Sequence, residues 1–182
     1  MIIANVNDAI EYLKKGEVIG YPTEAVYGIG CDPWNKLGVE KVAKIKRRPL
    51  NKPFLMVASS IEQLDDLVDV TKLTNQVKLS WPGHTTWLIK AKRNVPSWLQ
   101  DTESRKVGIR ISSHPIVKNL CDLFKKPIIS TSANISGEEE IKNQLDFKKN
   151  FSLKIKYLVD GKLGHYEKTS TIIDMESNKK IR

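Results

Sequence analysis

The stretch Lys106–Ile129 reads K-V-G-I-R-I-S-S-H-P-I-V-K-N-L-C-D-L-F-K-K-P-I-I, and it places three elements in immediate succession. β-Branched residues at alternate positions predict a strand over Lys106–Ser112, and Pro115 fits the first turn of a helix. The predicted apolar face of that helix consists of Ile116, Val117, Leu120, Leu123 and Phe124. Pro127–Ile129 then returns as a buried strand. A strand, a helix and a strand in this order predict an α/β fold.

The same interleaving extends outward in both directions. Helices are predicted after Asn5 or Asn7 as far as Gly16, over residues 36–47, after Ser59 with Glu62 as a capping box, and over about residues 72–80. Strands are predicted at 18–20, 54–58, 85–91, 155–159 and 170–175, with a last short run at 180–182. Pro22 is expected to end its strand, so that Tyr27–Pro33 forms an irregular loop. The pattern predicts an α/β sandwich with a mixed sheet.

The composition favours one folded, cytoplasmic domain spanning 1–182. Hydrophobic residues make up 40% and charged residues 28% of the 182, which is ordinary globular usage and argues against disorder. Cys31 and Cys121 lie far apart and outside any C-x-x-C spacing, so neither a disulfide framework nor a zinc site is indicated. No segment approaches the roughly 20 apolar residues of a membrane span, and the N-terminus lacks a signal-peptide pattern.

The charge balance favours polyanionic partners without requiring them. The 30 Lys and Arg against 21 Asp and Glu leave a formal net charge of +9. Such an excess suits nucleic acid or nucleotide phosphates. It equally suits a solvated surface tuned for solubility, because the positive residues are dispersed and strongest after residue 140. Composition leaves both interpretations open.

A basic cluster, K-R-R-P-L-N-K at Lys46–Lys52, lies where a helix must end before Pro49. A proline-fixed loop that carries ammonium and guanidinium groups can donate to phosphate oxygens with little ordering entropy. The alternative is that Lys and Arg merely complement the dipole at the end of the helix. The cluster alone favours the dipole interpretation.

Two polar loops follow predicted strands, where α/β sheets usually place ligand-binding groups. Ser130–Gly137, S-T-S-A-N-I-S-G, offers four hydroxyls and a carboxamide that suit a triphosphate or a ribose. Tyr21–Gly28, Y-P-T-E-A-V-Y-G, carries a hydroxyl and a carboxylate that suit a small polar substrate. Ser, Asn and Gly also serve turns for backbone reasons, so the first loop remains ambiguous on its own.

The familiar catalytic motifs are missing. The sequence has no G-x-x-x-x-G-K-[ST], G-x-G-x-x-G, G-x-S-x-G or H-E-x-x-H pattern. His84, His114 and His165 lack metal-ligand spacing, and His114 before Pro115 is interpreted as a local cap. Chemistry is therefore expected to rest on positioning and charge neutralisation, with Mg²⁺ held by the phosphates of a nucleotide.

Five blocks in order resemble the YrdC/TsaC family over essentially the whole chain. They are Y-P-T-E-A-V-Y-G-I-G-C-D at 21–32, K-R-R-P-L-N-K-P at 46–53, W-P-G at 81–83, V-G-I-R-I at 107–111 and S-T-S-A-N-I-S-G at 130–137. The resemblance implies a twisted mixed sheet with helices packed on it and an open basic cleft. It also implies a nucleotidyltransferase that makes L-threonylcarbamoyl-AMP and pyrophosphate from ATP, L-threonine and bicarbonate, toward N6-threonylcarbamoyladenosine in tRNA.

The resemblance also implies roles for individual residues. The K-x-R motif of the family falls on Lys46 and Arg48, which are expected to be catalytic and to bind ATP. The residues further expected to bind ATP are Thr86, Ser132, Asn134 and Arg182. Those expected to bind threonine are Thr23, Arg110, Ser130 and Ser170, with Arg110 pairing with its carboxylate.

Two departures from the family and two rival functions complete these expectations. His84 replaces the second proline of W-P-G-P and is expected to loosen the loop before Thr86. Longer members add a linker and a second domain beyond the position of Arg182, so any lid they supply is expected to come from elsewhere or to be absent. Transferase partner proteins and tRNA or double-stranded RNA are the implied partners. The rivals are a non-catalytic RNA-binding maturation factor of this fold and a paralogue with another carbamoyl acceptor.

Overall fold

The computed structural model describes residues 1–182 as ten strands and five α-helices. The strands are β1 Ile2–Ala4, β2 Ile19–Pro22, β3 Tyr27–Gly30, β4 Met56–Ala58, β5 Thr85–Lys90, β6 Lys106–Ile111, β7 Ile128–Ile129, β8 Thr131–Ser132, β9 Tyr157–Val159 and β10 Thr171–Asp174. The helices are α1 Val6–Lys14, α2 Lys36–Lys46, α3 Asn75–Ser80, α4 Pro115–Phe124 and α5 Gln144–Phe151. The predicted mixed α/β class is confirmed.

The strands divide between two five-stranded sheets, each of mixed direction. One has the order β1-β9-β2-β3-β8, in which β9 is parallel to β1 and β2 while β3 is antiparallel to β2 and β8. The other has the order β10-β5-β6-β4-β7, with β10 parallel to β5 and β4 parallel to β6. The sequence pattern indicated a single mixed sheet, because periodicity identifies strands without identifying their partners.

One short segment carries the chain from the second sheet to the first. β7 pairs with β4, β8 pairs with β3, and Ser130 alone lies between them. The backbone N–H of Ser130 donates to the carbonyl of Leu55 at 2.9 Å, and that of Ile129 donates to the carbonyl of Cys31 at 3.0 Å. The two sheets are thus joined at the start of the polar loop Ser130–Gly137.

Helices α1 and α4 pack together, and both contribute buried residues to one apolar cluster. Asn5 begins α1, and its side-chain oxygen accepts from the N–H of Asp8 at 2.9 Å. Pro115 occupies the first turn of α4, as predicted. The buried face of α4 consists of Val117, Leu120, Cys121 and Phe124. The prediction that Leu123 faces the core is wrong, since 41% of this residue is exposed.

The early glycine-rich segment is a strand, and the predicted loop is wrong. Pro22 ends β2 opposite Tyr27, and Tyr27–Gly30 forms a regular antiparallel ladder with it. The glycines are needed for close approach, because a Cβ on Gly30 would overlap the backbone carbonyl of Ile129. Since a single sequence carries no information on that distant neighbour, glycine was interpreted as a loop signal.

Other local predictions also differ from the structure. The helix expected after Ser59 is only a 3₁₀ turn at Glu62–Leu64, and Gln63 rather than Glu62 accepts the N–H of Ser59, at 3.1 Å. β1 and α5 were not predicted, the first because it has three residues and the second because five of its eight residues are polar or charged. No helix has both the length and the apolar character that crossing a bilayer requires.

Candidate active site

One cavity of about 420 Å³ between the two sheets gathers the predicted residues. All ten line it: Thr23, Lys46, Arg48, Thr86, Arg110, Ser130, Ser132, Asn134, Ser170 and Arg182. They come from positions up to 159 residues apart (182 − 23 = 159). The structure therefore brings together the whole predicted set, whereas the roles assigned to its members remain predictions.

The end of α2 directs Lys46 and Arg48 to different neighbours. Arg47 adopts a left-handed conformation with φ 50°, its N–H donates to the carbonyl of Lys44, and that of Arg48 donates to the carbonyl of Ala43 at 2.9 Å. This pair of bonds ends the helix and reverses the chain direction. The predicted end of the helix before Pro49 is confirmed.

Lys46 holds the loop Ser130–Gly137 against α2. Its Nζ donates to the carbonyls of Ser132 at 2.6 Å and Asn134 at 2.9 Å, and to Oδ1 of Asn134 at 2.8 Å. The residue is 3% exposed. Burial, assisted by the charge of Arg48 and opposed by that of Glu140, lowers the pKa of Lys46 to about 8. The ammonium thus lies deep in the cavity wall without a carboxylate bonded to it.

Arg48 directly precedes Pro49, and its side chain bonds to the segment that follows this proline. Its Nε donates to the carbonyl of Lys52 at 3.2 Å and its Nη2 to that of Pro53 at 3.1 Å, while the guanidinium lies 5.2 Å from the ring centroid of Phe54. Carbonyls and a ring face fix the side chain without neutralising it. Burial lowers the pKa of Arg48 from its ordinary value, although an arginine stays charged.

The loop Ser130–Gly137 is ordered by its own side chains. Oγ of Ser132 donates to Oδ1 of Asn134 at 2.7 Å, and Nδ2 of Asn134 donates to the carbonyl of Glu138 at 2.7 Å. Ser136 donates from both its N–H and its hydroxyl to the carbonyl of Lys46, each at 3.0 Å. The hydroxyls and amide that suit a nucleotide are therefore positioned by contacts within the protein.

Arg110 and Glu24 form a buried ion pair at the other end of the cavity. Nη1 of Arg110 and Oγ of Ser112, the latter at 2.6 Å, both donate to Oε1 of Glu24. Burial alone would raise the pKa of Glu24, but the charge of Arg110 and the bonds from Arg110 and Ser112 outweigh it and lower this pKa to about 2. Beside the pair, Oγ1 of Thr23 donates to the carbonyl of Val26 at 2.7 Å.

β5 and β10 contribute a third group of hydroxyls. Oγ1 of Thr86 and Oγ of Ser170 lie 2.8 Å apart, and the guanidinium of Arg182 donates twice to the carbonyl of Ser170, at 3.2 and 3.0 Å. Burial lowers the pKa of Arg182, and the charge of Glu140 opposes that shift. These contacts hold the last residue of the chain at the cavity.

Two histidines hold the segment 160–169, whose last residue, Thr169, lines the cavity beside Ser170. Nε2 of His84 lies 2.6 Å from the carbonyl of Lys168, and its ring stacks on Tyr166 at 4.1 Å and 5°. Nε2 of His114 lies 3.1 Å from the carbonyl of Lys162. These contacts tie His84 to the segment 160–169, while the loosening of the loop before Thr86 stays a prediction. His114 is the N-cap residue of α4, as the sequence indicated, although its side chain makes no capping bond.

Neither cysteine contributes a nucleophile. Cys31 and Cys121 are free and buried. Burial raises the pKa of both thiols, that of Cys121 to about 12. No group of three or more His, Cys, Asp or Glu in residues 1–182 could hold a metal ion.

A protein-family model covers nearly the whole chain. The model named Sua5, YciO and YrdC, described as "Telomere recombination", matches residues 11–182. This chain belongs to the Sua5/YciO/YrdC family. The resemblance drawn from the five sequence blocks is thereby confirmed.

Relatives in the family share both sequence and fold with the chain. It is 42% identical over 178 residues to a protein of Pseudoalteromonas translucida named threonylcarbamoyl-AMP synthase, and covers 95% of that relative. It is 39% identical over 186 residues to one of the same name from Wigglesworthia glossinidia brevipalpis, again covering 95%. Both alignments use at least 96% of this chain.

Solved structures agree with these relatives. P. abyssi Sua5 in complex with L-threonine superposes with a TM-score of 0.88 at 27% identity, and E. coli YciO with 0.83 at 27%. Each covers 97% of this chain. The chain spans about half of the Sua5 chain, 55%, and 86% of YciO.

Sequence reasoning missed several residues of the cavity. Glu24 and Glu140 line the cavity and were not among the predicted site residues, although the carboxylate after Thr23 was noticed in its loop. Ser112, which donates to Glu24 from behind the lining, was not predicted either. The signal available was only the proximity of Glu24 to Thr23 in the sequence. Its partner Arg110 lies 86 residues away, so the ion pair had no local signature.

Proposed function

We propose that this protein is an L-threonylcarbamoyladenylate synthase, which converts ATP, L-threonine and bicarbonate into L-threonylcarbamoyl-AMP and pyrophosphate. The observation that carries the proposal is one cavity that combines three cations bonded only to neutral groups with a separate buried Arg–Glu pair. The first group suits the phosphates of ATP, and the second suits an amino acid. The names of the relatives and the threonine complex of a homologous fold support the same reaction.

The proposed reaction has two steps. The amine of threonine captures bicarbonate to give a carbamate, and a carbamate oxygen then attacks the α-phosphorus of ATP as pyrophosphate leaves. Lys46 and Arg48 neutralise the charge that develops on the phosphates, and Ser132, Asn134, Thr86 and Arg182 hold the nucleotide. Thr23, Arg110, Ser130 and Ser170 hold threonine. No nucleophile of the protein is required, which agrees with the buried, protonated cysteines.

Magnesium is proposed to arrive with ATP. The cavity offers only two carboxylates, those of Glu24 and Glu140, and Glu24 is already bonded to Arg110. These residues fit a metal that the phosphates coordinate better than one that the protein holds. When bound, Mg²⁺ would neutralise phosphate charge beside Lys46 and Arg48.

Further partners belong to the same proposal. The adenylate is labile, so transferase partner proteins are expected to pass the threonylcarbamoyl group to tRNA in the cytoplasm. The formal net charge of +9 favours contact with tRNA or double-stranded RNA.

Substrate-dependent pyrophosphate release tests the function. The purified chain with ATP and Mg²⁺ is expected to release pyrophosphate only when both threonine and bicarbonate are present. Release that ignores threonine would favour another carbamoyl acceptor. Absence of release together with a salt-sensitive RNA affinity that survives Lys46→Ala would favour the RNA-binding alternative.

A further inference from the structure

Only one of the two carboxylate oxygens of Glu24 has a hydrogen-bond partner. Oε1 accepts from both Arg110 and Ser112, whereas Oε2 has no hydrogen-bond partner although it is buried. The residue is 3% exposed and lines the cavity. An ionised oxygen removed from water without a donor is unfavourable, and such groups in native proteins usually mark a missing partner.

The partner of Glu24 has unused hydrogen-bonding groups as well. Arg110 donates to Glu24 only through Nη1, so Nε and Nη2 are left without a protein acceptor. These two nitrogens are not fully buried, in contrast to Oε2 of Glu24. One edge of a guanidinium matches a carboxylate with two parallel bonds. The pair therefore presents a carboxylate-binding edge and, beside it, an oxygen that needs an N–H.

An α-amino acid carries the complementary groups on one carbon atom. Its carboxylate and its nitrogen are separated by a single carbon, so their binding partners must also be neighbours, as Arg110 and Glu24 are. Backbone hydrogen bonds from a distant segment fix the position of Glu24. The N–H of Tyr166 donates to the carbonyl of Glu24 at 3.0 Å, and the N–H of Gly164 donates to the carbonyl of Thr23 at 2.9 Å. A rigid acceptor of this kind can orient a reacting nitrogen.

We infer that Glu24 binds the amino group of the amino-acid substrate through Oε2 while Arg110 binds its carboxylate. This inference rests on the proposed function and deepens it. Substrate entry then supplies the donor that Oε2 lacks. The Arg110–Glu24 ion pair becomes the receptor for a zwitterion rather than only a structural contact.

The bond to Glu24 is compatible with the proposed carbamate step. The ammonium first releases one proton to solvent. The neutral amine then forms the N–C bond to bicarbonate, whose C–O bond breaks, and the hydroxide leaves as water with a second proton from nitrogen. The carbamate nitrogen keeps one N–H, which still donates to Glu24. The residue thus orients the nitrogen before and after the step without acting as its base.

Paired ligands separate this role from a structural one. Binding of L-threonine and of (R)-3-hydroxybutyrate, which lacks only the amino group, is measured by calorimetry on the full chain and on Glu24→Gln. Glutamine keeps the size and one acceptor for Arg110 but turns an amide N–H₂ toward the ligand nitrogen. We expect threonine affinity to fall by about 10- to 100-fold and hydroxybutyrate affinity to change by less than about threefold.

The control is Glu17→Gln, a surface carboxylate 3.4 Å from Lys41, which should leave both affinities unchanged. Equal loss for the two ligands in Glu24→Gln, or no loss, would overturn the inference and leave the proposed function standing. If that variant fails to fold, the wild-type protein decides, because equal affinity for the two ligands contradicts recognition of the amino group. A wild-type chain that neither binds threonine nor releases pyrophosphate would overturn the proposed function and this inference together.

Discussion

The two ends of the cavity handle positive charge in opposite ways. At the end where we propose that phosphate binds, called the phosphate end and consisting of Lys46, Arg48 and Arg182, the cations donate to carbonyl and amide oxygens. None of the ion pairs in the chain includes them. At the amino-acid end, which consists of Thr23, Glu24 and Arg110, the cation is bonded to a buried carboxylate. One end contains no ion pair, although the charge of Glu140 acts on Lys46 and Arg182, and the other end is internally neutral.

This difference matches the charges of the proposed substrates. A triphosphate carries several negative charges and binds best where no resident anion competes. A zwitterionic amino acid carries one charge of each sign and needs one of each in return. The contrast explains why only four cations and two carboxylates line a site proposed to hold two substrates at once.

The largest expected effect follows from removing the charge of Lys46. Lys46→Ala deletes the ammonium and leaves the oxygens of Ser132 and Asn134 without their donor. We expect threonine- and bicarbonate-dependent pyrophosphate release to fall by about 10²- to 10³-fold. Lys44→Ala, an exposed lysine in the same last turn, is the matched control. Near-normal rates in Lys46→Ala would remove the phosphate end from the account.

The ion pair at the amino-acid end should make the free energy of unfolding depend on pH in the acidic range. Because the folded-state pKa of Glu24 is about 2, below its ordinary 4.5, its stabilising contribution is present above that ordinary value and is lost as pH falls toward 2. Between about pH 6 and pH 3, the free energy of unfolding of wild type should drop about 2 kcal/mol more than that of Glu24→Gln. Urea unfolding at the two pH values measures this. Equal drops would show that the pair is not ionised as described.

The charge of Lys46 at the phosphate end should make kcat/KM for ATP depend on pH in the alkaline range. Since the pKa of Lys46 is lowered to about 8, the free protein loses this charge above that pH. The value of kcat/KM for ATP should therefore decline above about pH 8, while kcat declines only at higher pH because bound phosphates favour the ammonium. Lys46→Arg should abolish the decline in kcat/KM, whatever its absolute rate. A decline that persists in this variant belongs to another group.

The smallest expected effect concerns the segment 160–169, which bonds to the backbone of Thr23 and Glu24. His84→Ala removes the bond to the carbonyl of Lys168 and the stack on Tyr166, which hold this segment. The KM values for threonine and ATP should rise about two- to fivefold. Lys168→Ala keeps the accepting carbonyl and serves as control. A larger rise in the KM values of Lys168→Ala than in those of His84→Ala would show that His84 does not anchor this segment.

The two ends also differ in how far the sequence predicts them. Lys46, Arg48, Ser132 and Asn134 lie in compact motifs, so their types and spacing indicate a shared site. Glu24 lies in the turn between β2 and β3, and Arg110 lies on β6 of the other sheet, so their pairing depends on tertiary packing. Local patterns carry no information on such a juxtaposition, which is why the ion pair and the division into two sheets were not anticipated.

Element types were predicted where periodicity is strong and missed where tertiary contacts decide. α4 and its flanking strands were found from alternation and amphipathicity. β3 was missed because Gly28 and Gly30 resemble a loop, yet the close approach of Ile129 requires glycine at position 30. The local sequence favoured a helix-end role for the Lys46–Lys52 cluster. Its contribution to the cavity depends on distant neighbours, above all the loop Ser130–Gly137, which Lys46 contacts.

The central claim is that the two ends of the cavity act on ATP and threonine together. Mass spectrometry of the product formed by the wild-type chain from ATP, ¹³C-labelled bicarbonate and L-threonine tests it most directly. The account predicts L-threonylcarbamoyl-AMP that carries the labelled carbon, with an equal amount of pyrophosphate. An unlabelled adenylate, or ATP consumption that does not respond to threonine, would contradict it.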